Sequence, residues 1–132
     1  MFTPNIIFKT RVNDNLNLGG GCSIGGSWKD MSTNELFTKR KVVLFSLPGA
    51  YTPTCSSQQL PGYEKQYDEL RKYVDEVYCL SVNDSFVMNA WFRDQNINKV
   101  KPIGDGEGKF TKEMGMLVNK PKQGFGMRSW RY

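Results

Sequence analysis

The sequence predicts an α/β fold in which a mixed central sheet is flanked by helices. Three short apolar runs, each typical of a buried strand, occur at Val42 to Leu47, Glu76 to Val82 and Val100 to Ile103. Helical patterns separate these runs, which favours a partly parallel sheet covered on both faces. A fourth segment, Gly124 to Tyr132, indicates a turn that enters an alternating strand. With 132 residues and no internal repeat, the chain is expected to form one domain.

Capping residues and prolines mark the predicted helices. Ser32-Thr33-Asn34-Glu35 forms a capping box that opens a short helix. Thr52-Pro53 offers an N-cap followed by proline at the first helical position, and Pro61-Gly62 should kink or break the helix that begins there. Asn83-Asp84 caps a further amphipathic helix. Another short helix is expected from Phe110 to Met116.

The first 31 residues are expected to be rich in loops. A strand is predicted at Asn5 to Val12, and the glycine-rich run Gly19 to Gly26 indicates a surface connection, with Cys22 as an exposed bystander. Later in the chain, Gly104 to Gly108 contains two acidic residues but lacks the ligand spacing of an EF-hand. That segment therefore predicts a plain turn.

Composition excludes several classes of function. The net charge of +5 is modest and the lysines are scattered, so no nucleic-acid partner is expected. The chain has no histidine and no C-x-x-C, which argues against a zinc site and against Ser/His or Cys/His nucleophile pairs. No apolar run reaches transmembrane length, so no membrane partner is expected. Three widely spaced cysteines do not form a disulfide framework and favour a reducing, cytoplasmic setting.

Cys55 is the candidate nucleophile. It follows the predicted strand at Val42 to Leu47 through the run PGAYTPTC, in which Pro48 and Gly49 turn the chain. It therefore lies in the first turn of the next helix. Free backbone N–H groups and the positive end of the helix dipole favour a thiolate over a thiol at that position.

Three longer motifs resemble a known family. PGAYTPTC resembles the P-x-x-x-T-x-x-C active-site motif of peroxiredoxins. The runs LPGAYTPTCSSQQLPGYE, CLSVNDSFVMNAW and DGEGKFTKEMGMLV resemble the type-5 (type-II) branch of that family. The resemblance extends from about Trp28 to Tyr132. It implies a thioredoxin-like fold and a thiol-dependent reduction of hydrogen peroxide and alkyl hydroperoxides that needs no metal or organic cofactor.

The resemblance also implies roles for individual residues. Cys55 becomes the peroxide-attacking cysteine, and its thiolate is oxidised to sulfenic acid. Thr52 becomes its hydroxyl partner, able to accept from the peroxide and donate to the sulfur. Pro48 shields the pocket, and Thr54 is placed with it in the substrate-binding set. Arg128, in the run RSWRY, is matched to the arginine that stabilises the charge developing on sulfur and oxygen.

The resemblance also implies that the chain lacks the last strand and helix of the family. On this interpretation those residues would pair with Met127 to Tyr132 and cover the sheet. The single domain would then be incomplete at its carboxyl end. A homodimer is one of the oligomeric states that the resemblance leaves open.

Several alternatives stay open at this stage. Cys79 lies in an apolar strand, which favours an inert core thiol, but some relatives use a cysteine near this position for disulfide resolution. The reductant is either glutaredoxin with glutathione or thioredoxin. The rival function is a non-catalytic module that binds a redox partner. A thiol-disulfide oxidoreductase is disfavoured because C-x-x-C is missing.

Overall fold

A computed structural model describes residues 3–12 and 26–132 of the chain. Its centre is a parallel three-stranded sheet in the order β3-β4-β5, formed by Val42–Ser46, Glu76–Ser81 and Lys101–Gly104. The three strands predicted from apolar runs are therefore confirmed, with ends shifted by about one residue. The predicted segment Gly19 to Gly26 lies outside the described residues except at Gly26, and Cys22 lies outside them as well.

Two antiparallel hairpins accompany this sheet. The first pairs β1, Ile7–Val12, with β2, Ser27–Ser32. The second pairs β6, Leu117–Lys120, with β7, Gly126–Ser129, across a short 3-10 turn. The prediction of a loop-rich start is wrong for β2, and β6 was not predicted. Both strands are short and carry polar residues at the expected apolar positions, so hairpin pairing rather than periodicity defines them.

Four α-helices lie within the described residues: α1 Thr33–Phe37, α2 Leu60–Leu70, α3 Ser85–Asp94 and α4 Lys109–Glu113. The predicted caps at Ser32 and Asp84 are confirmed, because Glu35 N–H donates to Ser32 Oγ at 3.1 Å and Val87 N–H donates to Asp84 Oδ1 at 2.9 Å. The break predicted at Pro61-Gly62 is not found. A π-helical turn at Cys55–Gln59 precedes α2, and α2 runs unbroken through both residues with Pro61 in its first turn. A proline there costs no intrahelical bond.

The sheet separates two apolar cores. Along β4, Val77 and Cys79 belong to one cluster, whereas Tyr78 and Leu80 belong to the other, as the two-residue period of a strand requires. The first cluster takes side chains from the π turn, α2 and α3, and the second takes them from β1, α1 and α4. Helices therefore cover both faces, as the sequence predicts.

The carboxyl-terminal segment returns to the parallel sheet. Ser46 N–H donates to the Tyr132 carbonyl oxygen at 2.8 Å, and Tyr132 N–H donates to the Ser46 carbonyl oxygen at 3.2 Å. This reciprocal pair brings the last residues beside the end of β3. No helix within residues 3–12 and 26–132 has the length and apolar character to cross a bilayer.

Candidate active site

The tight loop after β3 is tied to the region of α3 by two side chains. Ala50 N–H donates to Asn83 Oδ1 at 3.0 Å, and the Tyr51 hydroxyl donates to Asp94 Oδ2 at 2.6 Å. Tyr51 has a φ of 61°, a left-handed conformation that is uncommon for a residue with a side chain. These bonds hold the loop at the carboxyl end of the parallel strands, where α/β sheets commonly carry their sites.

Cys55 lies in the first turn of the segment that follows this loop, as predicted. Its side chain is buried, and its carbonyl oxygen accepts from Leu60 N–H in the π turn. The bond from Ser56 N–H to the Thr52 carbonyl oxygen, at 2.9 Å, closes the first helical turn, so Cys55 N–H belongs to the unsatisfied helix terminus. Trp91 Nε1 donates to Ser56 Oγ at 2.9 Å and fixes the turn to α3. Such π turns occur frequently at functional sites.

The guanidinium that contacts the sulfur belongs to Arg131. Its Nη1 lies 3.6 Å from Cys55 Sγ. The resemblance had assigned this position to Arg128, whose guanidinium instead donates to the carbonyl oxygens of Val82, at 3.1 Å, and Phe125, at 3.2 Å. Arg128 lies in β7, whereas Arg131 lies two residues beyond the end of that strand. Of the two arginines, Arg131 is the one that contacts Cys55 Sγ.

Two further contacts hold Arg131 in place, and the sequence interpretation found neither. Arg131 Nη1 also donates to Gln59 Oε1, and Gln59 Nε2 donates to the Ser46 carbonyl oxygen at 3.2 Å. The reciprocal bonds between Ser46 and Tyr132 fix the backbone next to Arg131. Gln59 follows Cys55 by four residues, and this helical spacing is the one sequence signal that could have indicated it.

Thr52 directs its hydroxyl proton to the backbone of the loop. Its hydroxyl donates to the Gly49 carbonyl oxygen at 2.7 Å, so in this structure it cannot also donate to the sulfur. Its oxygen lone pairs stay free to accept. Arg128 approaches the same loop closely, because a Cβ added at Gly49 would lie 3.3 Å from Arg128 Nη1 and 3.2 Å from Thr52 Cγ2. Glycine at 49 therefore permits this close approach.

Pro48 and Thr54 border the loop and the turn. Pro48 is half-buried directly after β3, and Thr54 is exposed immediately before Cys55. Thr54 makes no side-chain cap bond to the π turn. Both residues are therefore close to Cys55 in the sequence, and the side chain of Thr54 is exposed to solvent.

Cys79 lies in the same apolar cluster as Cys55 and is completely buried in β4. Desolvation raises the pKa of the Cys79 thiol well above its ordinary value, and the neighbouring Cys55 raises it further. Both cysteines are free thiols. The burial of Cys79 among apolar side chains agrees with the core-thiol interpretation. Within the described residues, no group of three or more His, Cys, Asp or Glu side chains is placed to hold a metal ion.

A buried cysteine at a helix start, beside an arginine at the end of parallel strands, defines a cysteine-dependent enzyme of the thioredoxin-like α/β class. A match to the Redoxin family covers residues 23–132. The chain belongs to the peroxiredoxins, the thiol peroxidases of that family, which confirms the resemblance drawn from the motifs.

Individual relatives agree along almost the whole chain. The peroxiredoxin y4vD of Sinorhizobium fredii is 54% identical over 98% of this chain and 68% of its own length. The structure of the Plasmodium falciparum antioxidant protein, a 1-Cys peroxiredoxin, matches with a TM-score of 0.87 and 39% identity over 99% of this chain and 75% of its own. Reduced Prx3 from Vibrio vulnificus in complex with H2O2 matches with a TM-score of 0.82 and 38% identity, over 99% of this chain and 73% of its own.

Proposed function

We propose that Cys55 reduces hydrogen peroxide and alkyl hydroperoxides by direct attack of its thiolate, with Arg131 as the guanidinium that assists it. The observation that carries this proposal is the 3.6 Å contact between Arg131 Nη1 and Cys55 Sγ at the start of a helix. A positive guanidinium and unsatisfied backbone N–H groups both favour the thiolate. The H2O2 complex of the related Vibrio vulnificus Prx3 supports the choice of substrate.

The reaction breaks the O–O bond of the peroxide. The Cys55 thiolate attacks one peroxide oxygen, the S–O bond forms, and the other oxygen leaves as alkoxide or hydroxide and takes up a proton. Negative charge spreads over the sulfur and both oxygens during this step. Arg131 is placed to stabilise that charge through a hydrogen-bonding cation, in the manner of an oxyanion hole.

The remaining residues of the site shape the pocket. Thr52 has lone pairs free to accept the O–H of the peroxide, because its own proton is committed to Gly49. Pro48 shields the sulfur from the side of the β3 loop, and Thr54 borders the entrance. Arg128 acts on the loop rather than on the sulfur, through its approach to Gly49.

The sulfenic acid is then returned to the thiol by an external dithiol or by two thiols. The first thiol displaces water and forms a mixed disulfide, and the second thiol releases Cys55 as disulfide forms on the reductant. Glutaredoxin with glutathione and thioredoxin both supply this chemistry. Cys79 takes no part in our scheme, since its side chain is completely buried in the apolar core. Such a cycle requires a reducing compartment such as the cytoplasm.

A peroxide-consumption assay with alternative reductants tests this proposal. We expect consumption with either glutaredoxin and glutathione or thioredoxin, complete loss in Cys55→Ser, and retained turnover in the matched variant Cys79→Ser. Turnover by Cys55→Ser would overturn the mechanism. A wild-type chain that binds thioredoxin or glutaredoxin but consumes no peroxide would instead indicate a non-catalytic binding module. If only Cys79→Ser stalls, Cys79 is a resolving cysteine.

A further inference from the structure

We infer that Asn83 is a positioning residue, which fixes the loop after β3 and thereby the Thr52 hydroxyl. Asn83 is half-buried between the end of β4 and the start of α3. The inference rests on the proposed function, because it concerns the hydroxyl that accepts the O–H of the peroxide. Asn83 itself is assigned no contact with the peroxide or with the sulfur.

The side-chain oxygen of Asn83 accepts two hydrogen bonds. Ala50 N–H donates to Asn83 Oδ1 at 3.0 Å, and the Ser81 hydroxyl donates to it at 2.7 Å. Because a backbone N–H only donates, the oxygen of the amide and not its nitrogen has to face Ala50. Ser81 Oγ also lies 3.2 Å from the Leu47 carbonyl oxygen, at the other end of the loop. Ser81 and Asn83 together therefore contact the loop at both ends.

The backbone that carries Asn83 is held on both sides. Arg128 Nη1 donates to the Val82 carbonyl oxygen at 3.1 Å, and the Asp84 side chain caps α3. Gly104 in β5 packs directly against this backbone, because a Cβ added there would lie 2.9 Å from the Asn83 carbonyl oxygen. Glycine at 104 permits this close approach. Asn83 thus presents its side chain from a fixed backbone.

One peptide group connects Asn83 with Thr52. The Ala50 N–H that donates to Asn83 and the Gly49 carbonyl oxygen that accepts from the Thr52 hydroxyl, at 2.7 Å, belong to the same planar unit. Fixing one end of this unit therefore fixes the direction of the other. A bound N–H also makes the carbonyl oxygen a stronger acceptor, since hydrogen bonds in a chain polarise one another. Asn83 thus keeps the Thr52 proton on Gly49 and leaves the Thr52 lone pairs to the peroxide.

Loss of the Asn83 acceptor should affect the attack on peroxide more than it affects the thiolate. Without that acceptor the Ala50 N–H loses its side-chain partner, and the peptide group is able to rotate. The Gly49 carbonyl oxygen then turns away from Thr52, whose hydroxyl no longer receives the peroxide O–H in the same geometry. Arg131 is held by separate contacts, so the thiolate that it favours should be retained.

Three variants test the inference. Asn83→Leu removes the acceptor at nearly constant size, and Asn83→Asp restores it. Asn89→Leu is the matched control, because Asn89 on α3 is also half-buried and donates one side-chain hydrogen bond, at 3.0 Å, to the Arg11 carbonyl oxygen. The measurements are the second-order rate with hydrogen peroxide by stopped flow and the rate of iodoacetamide alkylation of Cys55 by mass spectrometry. Both are taken on the high-pH plateau, where the Cys55 thiol is fully ionised.

Alkylation requires the thiolate but no acceptor for a peroxide proton. We expect Asn83→Leu to lower the ratio of the peroxide rate to the alkylation rate about tenfold, the effect of one lost hydrogen bond. Asn83→Asp should recover most of that ratio, and Asn89→Leu should keep the wild-type ratio. An unchanged ratio in Asn83→Leu, or an equal fall in Asn89→Leu, would overturn the inference and leave the proposed function intact.

Hydrogen exchange at the Ala50 amide, measured by NMR, supplies a readout that needs no peroxide. Asn83→Ser, a smaller change, should speed this exchange about tenfold relative to the wild type, because the shorter side chain does not reach the amide. Equal exchange in the two proteins would overturn the inference. A wild type that is inert toward peroxide would overturn the proposed function, and exchange at Ala50 would still decide whether Asn83 holds the loop.

Discussion

Arg128 and Arg131 are close in the sequence but make different contacts near the loop after β3. Arg131 contacts the sulfur, whereas Arg128 bonds two carbonyl oxygens and lies against Gly49. We expect Arg131→Lys to lower the second-order rate with hydrogen peroxide by about tenfold or more, because an ammonium cannot contact Cys55 and Gln59 with the same fixed geometry. Arg128→Lys should lower the rate less and act mainly on stability.

Stopped-flow kinetics and urea denaturation of the two arginine variants separate these effects. A larger loss of rate in Arg128→Lys than in Arg131→Lys would show that the contact with the sulfur is not what matters. The sequence could identify the segment RSWRY but not which of its arginines contacts Cys55, because motif matching carries no information on which way a side chain faces. Only the packed structure shows that Arg131 contacts the cysteine and that Arg128 bonds the carbonyl oxygens of Val82 and Phe125.

Cys79 is either an inert core thiol or a resolving cysteine, and the two interpretations predict different effects of its substitution. Because its side chain is completely buried among apolar residues, Cys79→Ala should reduce the free energy of unfolding by about 1 kcal/mol or more while most peroxide turnover remains. Urea denaturation and the peroxide assay measure the two effects. Detection by mass spectrometry of a Cys55–Cys79 disulfide after peroxide treatment would contradict the core-thiol interpretation.

At the scale of single elements, the loop after β3 depends on its attachment to α3. Tyr51 holds a left-handed conformation and donates to Asp94 at the end of that helix. Partial desolvation, followed by the hydrogen bond to Asp94, raises the pKa of Tyr51 from 10.0 to about 12, although 52% of the residue is exposed to solvent. A raised pKa in the folded state means that the folded chain holds this proton more tightly than the unfolded chain does.

This shift predicts an alkaline loss of stability with a defined window. The contribution of Tyr51 is fully present below about pH 10 and is lost as the pH rises to about 12. We expect Tyr51→Phe to flatten the fall in stability across that window in denaturant titrations at several pH values. The matched control Tyr73→Phe, at an exposed tyrosine, should keep the wild-type slope. Identical slopes for the two variants would show that Tyr51 has no such role.

The sequence predicts elements well where local chemistry decides them. The capping residues of α1 and α3 and the apolar runs of β3, β4 and β5 carry their own signals, and the structure places them as expected. By contrast, β2 and β6 exist because a neighbouring strand pairs with them, and neither has an apolar period. The π turn could not be predicted from the sequence either, since its extra residue depends on how Cys55 and Leu60 pack into the core.

At the scale of the whole molecule, the site depends on a contact between the last residue of β3 and Tyr132. Ser46 and Tyr132 exchange two backbone hydrogen bonds although they lie far apart in the sequence. Within the described residues β7 pairs with β6 and Tyr132 bonds to Ser46, and the pairing of Met127 to Tyr132 with residues outside the given sequence stays a prediction. No local pattern could predict this pairing, because it joins segments that meet only after folding.

This long-range bridge gives a prediction for the last residue. Tyr132→Pro removes the N–H that donates to Ser46, whereas Tyr132→Ala removes the side chain and keeps that bond. We expect the proline variant to be less stable than the alanine variant by about 1 kcal/mol, the net value of one hydrogen bond. It should also react more slowly with peroxide, because Arg131 loses its backbone support. Equal behaviour of the two variants would show that the bridge does not position Arg131.

Oxidation of the Cys55 sulfur by peroxide is the central step of the proposed mechanism. The most direct test treats the reduced wild-type chain with one equivalent of hydrogen peroxide in the presence of dimedone, which traps sulfenic acid, and maps the adduct by mass spectrometry. We predict that the adduct forms on the peptide carrying Cys55, with Cys79 unmodified and Cys22 as an internal comparison. Consumption of peroxide with the adduct on Cys79 or Cys22 and none on Cys55 would contradict the account.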